Sequence, residues 1–98
     1  MKFYLAHEEH MLPEYADNVL VKVRANNPGI QHYQPGNCPE PNSTMASWLR
    51  ANCKDDVYFS HYEPVEEATS GTVQYFEVHI WFADKSQALM FKLAWGGQ

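Results

Sequence analysis

Basic residues are scarce in this chain of 98: seven Lys and Arg stand against twelve Asp and Glu, a formal net charge of −5. The seven are Lys2, Lys22, Arg24, Arg50, Lys54, Lys85 and Lys92, spread singly rather than grouped. Proteins that bind duplex nucleic acid draw most of their affinity from clustered cations that neutralise phosphates, so this distribution excludes that class. The carboxylates are scattered too, in short pairs such as Glu8-Glu9, Asp55-Asp56 and Glu66-Glu67, and form no array that imitates a phosphate backbone. Long apolar runs are also missing. None reaches the roughly 18 residues of a membrane span, and the opening Met1–His10 holds only a four-residue apolar run before charge returns, which is not a secretory leader. The expectations are a cytoplasmic protein with no membrane partner.

Cysteine is nearly absent. Cys38 and Cys53 are the only two, too few for a metal site of the CxxC type, and in a reducing compartment they are expected to stay as thiols, Cys53 in the core and Cys38 in a loop. Glycine clusters that cradle phosphates are absent as well: Gly36 and Gly71 stand alone, and no helix follows Gly96-Gly97. His7-Glu8-Glu9-His10 has Met11 where a zinc-protease motif places histidine, and no spacing demands a site with His32 and His61, so these read as polar residues on the surface at a strand end rather than as metal ligands. No catalytic residue, metal or cofactor is expected.

What the chain does have is aromatic side chains: six Tyr, five Phe and three Trp. Such a chain can bury enough apolar surface to offset its ordering entropy, and its length allows one core, so residues 1–98 read as a single domain. From Thr72 to Phe82, Phe76, Val78, Ile80 and Phe82 alternate with Tyr75, Glu77, His79 and Trp81, the period of a strand with one dry face. Asp84 and Gln87 start a helix whose stripe is Ala88, Phe91 and Trp95, with Leu89 beside it. A second helix is expected from Ser43 to about Asn52, with Met45, Trp48, Leu49 and Cys53 on one side and Asn42 or Ser43 as its cap.

Val57 to Tyr62 alternates as another strand and joins the 72–82 strand through an acidic loop, Glu63 to Gly71, as an antiparallel hairpin with a loose tip. Lys2–His7 and Val19–Arg24 add two short strands, with Pro13–Asp17 between them as a helical turn or loop. Residues 25–41 contain Pro28, Gly29, Pro35, Gly36, Pro39 and Pro41 and are expected to be a long loop carrying neither helix nor sheet.

This order implies an α+β, two-layer domain: an antiparallel sheet of about four strands with two helices on one face, ferredoxin-like or a variant of it. The Phe residues, Trp48 and Trp95 belong to the core. The opposite sheet face carries Tyr4, Lys22, Arg24, Tyr58, Tyr62, Tyr75, His79 and Trp81, which are the candidate partner-binding residues. Tyr and Trp bring large contact area at little rotamer cost, the chemistry of protein hot spots. They also stack bases, with Lys22 or Arg24 at a phosphate, and they also simply pair across strands.

The segment Trp81-Phe82-Ala83-Asp84-Lys85-Ser86-Gln87-Ala88-Leu89-Met90-Phe91-Lys92-Leu93-Ala94-Trp95-Gly96 resembles the ending of many small tailed-phage proteins, in which a strand closes on an aromatic and an acidic residue and a short helix ends in a Phe-Lys-Leu-x-Trp-like run. The resemblance implies a small phage accessory protein, a class whose members bind and block a host enzyme or defence component or sequester nucleotide signals. The leading expectation is therefore a non-enzymatic protein that occupies a host protein through its aromatic sheet face. A nucleotide-signal sponge and a homodimeric structural domain are the alternatives.

Overall fold

The alternation in 72–82 becomes one of the two inner strands of the main sheet. In the computed structural model, which describes residues 1–6, 19–33 and 38–96, the elements run β1 (Phe3–Leu5), β2 (Leu20–Arg24), β3 (Ile30–Tyr33), β4 (Cys38–Pro41), α1 (Ser43–Asn52), β5 (Val57–Glu66), β6 (Val73–Trp81) and α2 (Lys85–Trp95). His7–His10 and Pro13–Asp17 lie outside the described residues. The architecture is α+β. Its main sheet has the order β1-β5-β6-β2, with β5–β6 and β6–β2 antiparallel.

Two features differ from the expected sheet. β1 runs parallel to β5, so the sheet is mixed, and its order does not reproduce a ferredoxin-like arrangement. Residues 25–41 also hold more than a loop, because β3 and β4 pair antiparallel within them as a second, two-stranded sheet. The register explains why the prolines permit it. Asn42 N donates to Gly29 O, and the ladder alternates from there, so Pro41 opposite Ile30 and Pro39 opposite His32 occupy positions whose nitrogens point away from the partner strand.

Both helices start on their expected caps. Asn42 Oδ1 accepts from the Met45 amide at 2.9 Å, and Asp84 Oδ1 accepts from the Gln87 amide at 2.8 Å. The Gln87 Nε2 donates to the carboxylates of Asp84 and Asp55, and its Oε1 does not accept from the cap amide. Met45 and Leu49 of α1 and Phe91 of α2 are fully buried against Val57, Val78 and Ile80, which puts both helices on one sheet face. Leu89 faces outward instead of joining the apolar stripe.

The turn between β2 and β3 is built on one buried side chain. Asn27 Oδ1 accepts from the Gly29 amide, while its Nδ2 donates to the carbonyl of Trp95 at the end of α2. β5 continues to Glu66, further than the alternation implied; Pro64 is accommodated where β5 has a paired strand on one side only among the described residues. The remaining turn is closed by Gly71, whose φ of 69° suits a residue without Cβ.

Candidate functional site

The face of the main sheet away from the helices is assembled by register. Tyr4 lies opposite Tyr58, Tyr58 opposite Trp81, and Trp81 opposite Leu20, so one row crosses all four strands. The Tyr4 and Tyr58 rings stack with centroids 4.6 Å apart and planes at 16°. Burial, the neighbouring Tyr4 and Asp56 push the Tyr58 hydroxyl pKa up, keeping it a neutral donor. Trp81 is half-buried, and the exposed Leu20 closes the row at the β2 edge.

The next row is polar. His79 lies opposite Lys22, stands edge-on to Trp81 at 6.2 Å, and its Nε2 is 3.5 Å from Glu77 Oε1. Glu77 faces Arg24 on one side and Glu63 on the other. The Arg24 guanidinium sits 4.0 Å from the centre of the Tyr75 ring, a cation–π contact. The structure therefore brings Tyr4, Lys22, Arg24, Tyr58, Tyr75, His79 and Trp81 to one face, the side expected of them.

Tyr62 does not belong to that face. Phe59 pairs with Ile80 and Tyr62 with Val78, so Ser60 and His61 together oppose the single residue His79. This bulge inserts one residue into β5 and flips everything after it. Tyr62 consequently turns inward beside Phe76 and hydrogen-bonds His32 Nδ1. Burial and the nearby Cys38 raise the Tyr62 pKa. Phe76 also departs from expectation: it points to the helix side yet is 46% exposed, because the end of β6 outruns the helices. With Tyr62, His32 and Ala25 it lines a cavity of about 360 Å³.

The bulge brings together a pair that sequence spacing did not. Cys38 Sγ lies 3.6 Å from His61 Nδ1, joining β4 to β5. A nucleophilic cysteine needs its histidine held by a third group, and among the described residues no side chain other than Cys38 hydrogen-bonds the His61 ring. Cys53 is a different thiol: burial first, then Asp84 and Asp55, push its pKa up to about 11, so it is chemically quiet. Neither cysteine is in a disulfide. Among the described residues no group of three or more His, Cys, Asp and Glu side chains is placed to hold a metal ion, and no helix is long and apolar enough to cross a membrane. No protein-family model, curated protein or solved structure matches the chain.

Proposed function

We propose that this is a non-enzymatic binding protein that docks onto a partner protein through the outer face of its main sheet and acts by occupying it. The observation that carries the reading is the row Leu20, Trp81, Tyr58 and Tyr4, which spans four strands on the side opposite both helices. At about 4.8 Å between strands the row is about 14 Å wide, wide enough for the centre of a protein interface. Its flanks supply the polar rim such interfaces use, with Lys22, His79, Glu77 and Arg24 in sequence along β2 and β6. The likeness of Trp81–Gly96 to the ends of small tailed-phage proteins supports a host protein as the partner and host cytoplasm as the place.

The test is capture from a bacterial lysate by the tagged chain, run beside Trp81→Ala and Tyr58→Ala. The reading expects a bound protein that both variants lose while their far-ultraviolet circular dichroism stays that of the parent. Capture unaffected by either substitution overturns it. A solution mass of twice the monomer that reverts in Trp81→Ala assigns the same face to a homodimer.

A further inference from the structure

The outer edge of β2, the last strand of the main sheet among the described residues, has a chemistry of its own. Ala25 N donates to Phe76 O and Phe82 N donates to Val19 O, which fixes the phase of the β2–β6 ladder. Residues 19, 21, 23 and 25 turn their amides and carbonyls toward β6, so those of Leu20, Lys22 and Arg24 point off the sheet. The Arg24 carbonyl is used by the Asn27 amide. Among the described residues, nothing hydrogen-bonds the main-chain groups of Leu20 and Lys22, and both residues are exposed.

The side chains around this edge are basic in an acidic protein. Lys22 and Arg24 project on the outer face, and Lys92 of α2 joins Leu20, Val21 and Lys22 in lining a groove of about 270 Å³ along the edge. Two of the chain's seven basic residues, Lys22 and Lys92, thus meet here, with Arg24 two residues along the same strand and its guanidinium over the Tyr75 ring, against a net charge of −5. At about 100° per residue, Leu89 lies about 60° and Leu93 about 100° round the helix from Lys92, and both are exposed, at 57% and 79%. A second copy of β2 is a poor occupant, since pairing two such edges would bring lysine and arginine side chains face to face.

We infer that the β2 edge receives an extended acidic segment of a partner protein as an added strand. Main-chain bonds to Leu20 and Lys22 hold the segment. Carboxylates on its outer side meet Lys22 and Arg24, and apolar residues on its inner side lie along the groove toward Leu89 and Leu93. The edge shares Leu20, Lys22 and Arg24 with the proposed docking face, but its main-chain bonds are its own, so slowed exchange at the Leu20 and Lys22 amides separates strand addition from docking onto the face.

The probe is a capped heptapeptide of alternating Asp and Val, with an alternating Lys and Val peptide as control. In the parent chain, the amides of Leu20 and Lys22 exchange quickly with solvent while those of Val21 and Val23 are protected. Adding the acidic peptide slows exchange at Leu20 and Lys22, and binding weakens as salt rises. Lys22→Pro removes an edge donor without touching the β6 ladder and abolishes binding. The double variant Lys22→Glu, Arg24→Glu keeps the backbone groups and binds at least about tenfold more weakly. The inference is overturned by protection of the Lys22 amide before any peptide is added, by equal binding of the basic peptide, by full binding to the folded Lys22→Pro or double variant, or by a dimer whose contact protects the same amides.

Discussion

The backbone amide of His79 donates to Ser60 Oγ at 2.8 Å, across a break in the β5–β6 ladder. The same hydroxyl donates to the carbonyl of His61 at 2.6 Å, so one buried serine replaces ladder bonds lost to the bulge. Ser60→Ala leaves both groups without that partner. The expected loss is about 1–3 kcal/mol in urea unfolding, with Ser60→Thr retaining more stability than Ser60→Ala. An unchanged midpoint for Ser60→Ala would show that the bulge needs no hydroxyl.

Gly29 is required by close approach rather than by backbone angle. A Cβ built there lies 2.4 Å from Met45 Cε and 3.0 Å from Trp95 Cζ3, in a place where Met45 is fully buried. Gly29→Ala therefore overpacks the contact between the β2–β3 turn and both helices, at about 1–3 kcal/mol. Thermal unfolding of the variant reads this directly, and a rise in Tm would contradict it.

These two sites show where sequence reading reached its limit. Residue chemistry made α2 legible, because Asp84 caps and Phe91 and Trp95 keep helical spacing, and it made β6 legible through its strict alternation. The outer face followed, since a correct phase in β2 and β6 places Lys22, Arg24, Tyr75, His79 and Trp81 together. Tyr62 failed because Ser60-His61 looks like continued alternation: a bulge is decided by what pairs opposite, and one inserted residue flips the strand. The hairpin of β3 and β4 was hidden by Pro39 and Pro41, whose spacing of two is compatible with a ladder only once the register is known. The parallel pairing of β1 is a long-range contact with no local signature.

Alkylation tests the environment of the Cys53 thiol. Burial beside Asp84 and Asp55 holds the Cys53 thiol protonated, with its pKa near about 11, so iodoacetamide at pH 8 should label Cys53 in the folded chain only after denaturant is added. Peptide mass spectrometry checks this, and prompt native labelling of Cys53 would refute the placement of that side chain.

Acid sensitivity should trace in part to the cap of α2. Asp84 is pulled from its ordinary 3.8 down to about 2, first by the Gln87 amide and then by the Ser86 hydroxyl and the Gln87 side chain. A folded pKa below the unfolded one means that the unfolded chain binds this proton more readily, so the stabilisation is present above pH 3.8 and is lost as pH falls toward about 2. Asp84→Asn keeps an acceptor at the cap and removes the titration. Its Tm should fall less steeply than the parent's across that window, and parallel curves would exclude Asp84 as a contributor.

Trp81 and Phe82 are neighbours on opposite sides of the sheet, and their substitution tests the two faces independently of any partner. Phe82 is fully buried, with its ring centroid 5.1 Å from that of Phe91, so Phe82→Ala removes core contacts that the helices cannot close over. The expected cost is about 3–5 kcal/mol. Trp81 is half-buried and touches His79 edge-on from the side away from the helices, so Trp81→Ala gives up partial burial and leaves no internal cavity. Its cost should stay near about 1–2 kcal/mol, set by the apolar area it covers. Denaturant titration of both variants gives the ratio. A Trp81→Ala loss equal to that of Phe82→Ala would make Trp81 a structural residue and remove the principal anchor of the proposed binding face, whereas a small loss leaves a large aromatic side chain whose contribution lies outside the fold.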